Sequence, residues 1–554
     1  MTSLLVPLLQ LAAVLARQAQ APLSITTGPA VPAGASVGSN EAAAALHSLR
    51  VYRRAGDAGL ELASNLVEGQ RLIVQSGAAG EVVVRQQGSD TGGEQELVAV
   101  GTGVFGVYKL PSGHFLAIIK DSVAADHFAG AGVGSGGGLL ARFGRSVREL
   151  REIELIRIPP AKTPKKKKRP DEDSKNNEAA AQAQALAMLQ ETFERHRFFF
   201  SLRSGVLGDN VYYDVTRSLQ KNVDETQKEE EQGGHWSRCD DRFFWNANTL
   251  SAFLRSGCNT TWLVPATNAW AACERLLLDG GSNFTLSLIS RRSRLRQGPR
   301  YIKRGSDEQG NVANFAETEQ ILTCDHPPLR AASYVQARGS IPLFWSQPEV
   351  WRLRPSIVPR GDTDLHKHAA ALYTHLADLF RSYAPARRRA ARGPRVYLLS
   401  LIDKKGGQGR LGQWLFAAFD FLQRNSSAAA LRSGPAGSAV GVAGDALLLQ
   451  GTASLGPAAA ATLPERILRI PGLLDRSAVT ARDYSVSGLG RARLVWFDYH
   501  QQCHGSDVSA LKSLYPHLGT AAAGCFTLGV CGGKRQGAVV RTNCIGEPAL
   551  LTPH

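Results

Sequence analysis

The eight cysteines of this 554-residue chain (Cys239, Cys258, Cys273, Cys324, Cys503, Cys525, Cys531 and Cys544) include no C-x-x-C pair. Without that close spacing a zinc site is not expected, and no metal or other cofactor is called for. Cysteines scattered over so long a chain also argue against a disulfide framework and point to a reducing, cytosol-facing compartment. Long apolar runs are missing as well. Beyond the N-terminal stretch no window is apolar enough over about eighteen residues to read as a transmembrane helix. Acidic charge is in deficit, with 48 Asp and Glu against 64 Lys and Arg, a formal net charge of +16. That balance favours anionic partners (nucleic acid, acidic membrane surfaces or phosphorylated ligands) without choosing among them.

What remains is the composition of a globular chain, 43% apolar and 20% charged, long enough for two or three domains. Met1 to Ala16 is apolar, and Ala19-Gln20-Ala21 resembles a signal-cleavage site. A basic leading segment is lacking and Pro7 interrupts the run, so a short apolar helix or unstructured leader competes with a signal peptide. Residues 1–45 read as that leader. Three N-x-[ST] matches, at Asn259, Asn283 and Asn425, are what chance supplies in a chain this long.

From Leu49 to Ile158 short apolar segments alternate with Gly-rich turns, as at Leu72-Ile-Val, Glu81-Val-Val-Val, Val104-Phe-Gly-Val-Tyr and Phe115-Leu-Ala-Ile-Ile, and predict strands. Residues 129–138 form a Gly-rich insertion that reads as a loop. Residues 159–180 are a Pro- and charge-rich linker carrying the basic run Lys165 to Arg169, which suits a nuclear-import signal, an acidic-lipid patch or a solvated loop. Ala, Leu, Gln and Glu predict a helix over Glu178–Glu194. From Phe198 strands and helices are expected to alternate. Buried strands are predicted at Phe284–Ile289, Val396–Ile402 and Leu494–Phe497, with an amphipathic helix over Asp364–Tyr383 capped by Asp362 or Thr363. Gly407-Gln-Gly409-Arg-Leu-Gly412 has a G-x-G-x-x-G spacing and reads as a loop of the catalytic domain, and residues 426–463 as an expanded loop. The alternation predicts an α/β catalytic domain behind a β-rich N-terminal domain.

Arg541-Thr542-Asn543-Cys544-Ile545, preceded by the strand-like Gly537-Ala-Val-Val, resembles the start of the C-x(5)-R signature of the Sac-domain phosphoinositide phosphatases. Further segments resemble that family in consistent order: Phe198-Phe-Phe-Ser, Tyr213-Asp-Val-Thr-Arg-Ser-Leu-Gln, Arg242-Phe-Phe-Trp-Asn, Arg300-Tyr-Ile-Lys-Arg-Gly, Gly310-Asn-Val-Ala-Asn-Phe-Ala-Glu-Thr-Glu-Gln, Arg338-Gly-Ser-Ile-Pro-Leu-Phe-Trp-Ser-Gln and Phe497-Asp-Tyr-His. The resemblance implies an N-terminal Sac module over 46–245 and a Cys-phosphatase-type α/β catalytic domain over 246–554. It implies phosphoinositide lipids as partners at the cytosolic face of an endoplasmic reticulum or Golgi membrane. Phosphatidylinositol 4-phosphate is the first candidate substrate, then other monophosphates and the 3,5-bisphosphate.

The chemistry implied is attack of a Cys thiolate on phosphorus, giving a phosphocysteine that water hydrolyses, while a carboxylic acid protonates the leaving inositol oxygen. Cys544 occupies the nucleophile position. Arg541 and Asn543 are candidates for substrate contact, Arg541 serving equally well in a structural role. Asp498 and His500 are carried as supporting residues, an acid–base pair or a structural pair at a strand end.

The signature breaks after Ile545. Gly546 stands where the family has Asp, and Leu550 where it has the phosphate-binding Arg. Two prolines in the last eight residues also oppose the helix that would face the phosphate. Losing one preorganised charge-stabilising donor costs on the order of 10²–10³ in rate. The chain as written is therefore expected to be inactive or nearly so, and the abrupt break reads as a misread exon boundary or truncated transcript. The alternative is a catalytically dead Sac module that binds anionic lipid. No nucleic-acid motif accompanies the basic run, so nucleic acid is not expected as a partner.

Overall fold

The computed structural model describes residues 24–26, 48–54, 59–67, 69–77, 80–88, 95–125, 147–160, 172–201, 214–219, 221, 239–277, 283–299, 301–324, 331–352, 355–359, 365–383, 396–430, 473–503, 509–518, 540–544 and 549–551. The chain divides into two compact units. The first comprises Met1–Arg294 with Ile321–Ala331 and Leu551–His554; the second comprises Leu295–Gln320 and Ala332–Leu550.

In the first unit the short apolar segments become strands. Five of them form an antiparallel sheet in the order Val82–Gly88, Gln70–Ser76, Gly59–Ser64, Leu49–Arg54, Gln95–Gly101. Its inner face is Leu49, Val51, Leu60, Leu62, Leu72 and Val74, each at most 1% exposed, packed against Phe253 and Trp262. A second antiparallel run joins Gly103–Leu110, Gly113–Ala124, Val147–Arg157, Phe198–Ser201, Ala266–Leu277 and Asn283–Arg292 in that order. The helix predicted over 178–194 is present and starts earlier, spanning Glu172–Arg195. Phe193 on it packs edge-on to Phe105 and Phe198, with centroids at 5.9 and 5.4 Å.

The first compact unit runs on to Arg294, past the 245/246 division that the resemblance implies. Phe198 pairs with Asn268, and Ala266–Leu277 pairs along its length with Asn283–Arg292, so the segment after 246 completes the first unit's sheet. Tight pairing is enforced by Asn246, buried, whose amide donates to the carbonyls of Phe105 and Val264 and whose Oδ1 accepts from Ala266 N–H.

The second unit holds the α/β part. Strands Thr480–Val486, Gly490–Trp496, Val396–Ser400, Val540–Cys544 and Ala331–Gly339 are neighbours in that order. The helix expected over Asp364–Tyr383 runs Leu365–Tyr383, with Leu365, Leu372, Leu376, Leu379 and Phe380 buried as the spacing requires. Its predicted caps, Asp362 and Thr363, lie outside the described residues. So do the Gly-rich 129–138, the basic run 165–169 and most of 426–463.

Two expectations need correction. Among the described residues helix–strand alternation begins at Leu365, and the described part of Phe198 to Gly339 is dominated by strands. Gly407–Gly412 is the opening of a 25-residue helix, Gly406–Ala430, and no loop. The glycines are there because this helix lies hard against its neighbours. A Cβ on Gly412 would sit 2.4 Å from the Trp496 ring, and one on Gly409 would sit 2.9 Å from the Lys404 carbonyl carbon.

Candidate functional site

Val396–Ser400 runs parallel to Gly490–Trp496, with Ser400 opposite Trp496. Loops at the carboxyl ends of parallel strands diverge and leave a crevice, the usual place for a site in an open α/β sheet. Here the two loops are 401–405 and 497–503, and a hydrogen bond from Phe497 N–H to the Ser400 carbonyl pins them together.

Asp498 is buried at 1% exposure. Its carboxylate accepts the Lys404 N–H at 2.9 Å and the Gln501 N–H at 3.1 Å, capping the helix Tyr499–Gln502, and pairs with Arg476 Nε at 3.3 Å. A buried acceptor with these partners ties the two loops together. Lys404 is equally buried, at 2% exposure. Its Nζ donates to the carbonyls of Asp475 and Ala478 and to Thr480 Oγ1 at 2.7–2.8 Å, and lies 5.5 Å from the centre of the Trp496 ring. Burial pushes its ammonium down to about 8, with the Asp475 and Asp498 carboxylates pulling it back up.

His500 is the accessible member. Its Nδ1 lies 2.6 Å from Asp403 Oδ1, and its side chain is 58% exposed. An exposed imidazole held by an Asp is the kind of group that can pass a proton to or from a ligand. Sequence reasoning singled out Asp498 and His500 but missed Asp403 and Lys404; the only signal was their position immediately after a buried strand.

The strand Val540–Cys544 lies between Val396–Ser400 and Ala331–Gly339, antiparallel to both. Val540 faces Gly339 on one side and Ser400 on the other, while Cys544 faces Val396. Cys544 is thus at the amino end of Val396–Ser400, roughly 13 Å along the strand from Ser400 at about 3.3 Å per residue. Arg541 faces Leu399, and Asn543 faces Tyr397. The structure brings Asp498 and His500 together with Asp403 and Lys404; the register sets the backbone of Cys544 and Asn543 toward the far end of Val396–Ser400, while Arg541 pairs with Leu399, one residue from Ser400.

A cavity of about 570 Å³ lies in the same unit, lined by Arg296, Ser306, Asp307, Phe344, Lys367 and His368 among others. Ser306 is 2% exposed and its hydroxyl makes no hydrogen bond among the described residues. The Arg296 guanidinium is tied to the carbonyls of Arg304 and Gly305, and both oxygens of Asp307 are taken by Asn311. His368 Nδ1 accepts the Phe344 N–H at 3.2 Å. Among the described residues no group of three His, Cys, Asp or Glu side chains could hold a metal ion, and no helix is long and apolar enough to cross a membrane.

The SacI homology domain profile matches residues 102–436, more than half of the chain. The chain belongs to the SacI homology domain family. It is 34% identical over 230 residues to phosphatidylinositol-3-phosphatase SAC1 of Drosophila melanogaster, covering 41% of this chain and 34% of that protein. It is 36% identical over 220 residues to phosphoinositide phosphatase SAC4 of Arabidopsis thaliana, covering 38% and 24%. Phosphatidylinositol-3-phosphatase SAC1 of Saccharomyces cerevisiae is 32% identical over 185 residues, covering 32% and 27%. The chain thus spans about a third of the length of these curated relatives, or less.

Proposed function

We propose that the chain engages the phosphorylated inositol headgroup of membrane phosphoinositides, phosphatidylinositol 4-phosphate first among them, at the cytosolic face of an endoplasmic reticulum or Golgi membrane. The observation that carries this reading is the family match over 102–436, with relatives named as phosphoinositide phosphatases. Phosphatase chemistry through Cys544 would need its thiolate stabilised by backbone N–H groups and an Arg fork on the phosphate. Leu550 stands where that Arg belongs and Gly546 where the family has Asp, so binding without efficient turnover is the reading favoured for this chain as written.

The test is phosphate release from vesicles carrying phosphatidylinositol 3-phosphate, 4-phosphate or 3,5-bisphosphate, for the chain and its Cys544→Ser variant, beside binding of the same lipids in short-chain soluble form. Binding of a phosphorylated headgroup over unphosphorylated phosphatidylinositol, with release no faster than in Cys544→Ser, is expected. Robust release abolished by Cys544→Ser would overturn the inactivity. Failure to discriminate phosphorylated from unphosphorylated headgroups would overturn the whole reading.

A further inference from the structure

Isolated exposed apolar side chains are ordinary on a protein surface. The second unit carries several that are not isolated. Trp351 is 78% exposed, Ile302 59%, Val350 44% and Val358 42%. They sit on two segments held side by side by Arg304. Its guanidinium lies over Tyr301 at 5.3 Å and Trp345 at 5.6 Å, and its Nε donates to Gln347 Oε1 at 2.7 Å. Exposed cations flank the apolar groups: Lys303 next to Ile302, and Arg352 next to Trp351, the latter in a solvent-facing pair with Glu349 at 3.3 Å.

The patch is placed at a particular end of the unit. The Trp345–Ser346 strand follows the carboxyl end of Ala331–Gly339, and Gly339 and Ser400 flank the same residue, Val540. The returning segment also reaches the helix that opens after Lys405, since a Cβ on Gly407 would lie 3.2 Å from Ile357 Cβ. The exposed Trp351 turn therefore belongs to the end of the sheet that carries Asp403, Lys404 and His500.

We propose that this surface docks on an anionic lipid bilayer, with Trp351 inserted at the headgroup level and Ile302 beside it. The proposal deepens the phosphoinositide reading, on which it rests for the choice of a bilayer. An indole prefers the membrane–water interface, where its ring is dehydrated and its N–H stays wet. Lys303 and Arg352 complement lipid phosphates, each long stem lying along the apolar boundary while its charge stays in water. The chain's excess of 64 basic over 48 acidic residues acts in the same direction.

The experiment is flotation of the full chain with phosphatidylcholine vesicles, with and without one-fifth phosphatidylserine, for the wild type, Trp351→Ser, Ile302→Ser and, as a control from the other unit, Leu66→Ser. Losing an inserted Trp or Ile should weaken binding to the anionic vesicles about tenfold or more, and Leu66→Ser should leave it unchanged. Brominated lipid should quench part of the wild-type indole fluorescence, and Trp351→Phe should abolish that part. Equal binding by the wild type and both patch variants overturns the proposal. So does self-association of the wild type that Trp351→Ser dissolves, which would make the patch a protein interface. Binding of short-chain phosphoinositides, read in parallel, keeps the two claims apart. Docking without headgroup preference sinks the phosphoinositide reading alone, and headgroup preference that survives in patch variants docking like the wild type sinks the docking surface alone.

Discussion

Gly412→Ala is expected to destabilise the second unit, against the sign that helix propensity alone gives. In an open helix interior Ala is about 1 kcal/mol more stable than Gly. Here the added Cβ would meet Trp496 Cη2 and Cζ2 at 2.4 Å and Cε2 at 2.9 Å. Carbon atoms rest at about 3.5–4.0 Å, so helix or ring must retreat by roughly 1 Å. The ring is poorly placed to yield: Trp496 is fully buried, its Nε1 donates to the Ile402 carbonyl at 2.8 Å, and Phe416 lies against it at 5.9 Å. Overpacking of this kind costs about 1–3 kcal/mol, and losing the indole hydrogen bond adds about 1. After the propensity gain is subtracted, a net loss of about 1–3 kcal/mol remains. Trp496→Phe shrinks the ring that the added Cβ meets, so the cost of Gly412→Ala should fall by about 1–2 kcal/mol in that background. Hydrogen exchange in urea, read on peptides covering 396–424 and 490–503, reports this unit's midpoint directly. A higher midpoint for Gly412→Ala, or the same cost in both backgrounds, would refute the packing argument.

Asp498→Ala strands the Lys404 and Gln501 N–H groups and leaves Arg476 without its carboxylate, so it should lower the stability of the second unit by about 2–4 kcal/mol in the same exchange measurement. Unchanged stability with altered headgroup binding would instead make Asp498 a substrate contact. In the first unit Asp240 is largely enclosed, which opposes its ionisation, but the bidentate Arg242 contact and Lys221 outweigh that desolvation and hold the carboxyl below its ordinary range. On acidification the unfolded chain takes this proton first. The stability Asp240 confers is thus fully present above about pH 4 and is lost as the pH falls further. Asp240→Asn should lower the first unit's urea midpoint at pH 7 and flatten its decline toward pH 3, and an unchanged slope would disprove the assignment.

Legibility in the sequence followed the range of the interaction. Short apolar segments between turns, such as Leu72-Ile-Val, and the stripe from Leu365 to Phe380 announce themselves because the buried residues lie close together in the chain or repeat at helical spacing. The pairing of Phe198 with Asn268 did not, because it joins residues seventy positions apart with no local mark. Gly407–Gly412 misled for a related reason. Glycine is a poor helix former, and only the helix's contact with Trp496 and the Lys404 carbonyl makes it the residue that fits. At the site, Asp498 and His500 stood out by residue type, while Asp403 is recognisable only once the Tyr499–Gln502 turn brings the His500 ring to it.

Strand direction then decides which of these residues can act together. A site at the carboxyl ends of Val396–Ser400 and Gly490–Trp496 draws on Asp403, Lys404 and His500, and the exposed Trp351 turn stands at the same end. Cys544 would join them only on a strand running parallel to Val396–Ser400, and Val540–Cys544 runs the other way. The order of strands thus sets the backbone of Cys544 away from the loops that carry Asp403 and His500 by the length of Val396–Ser400.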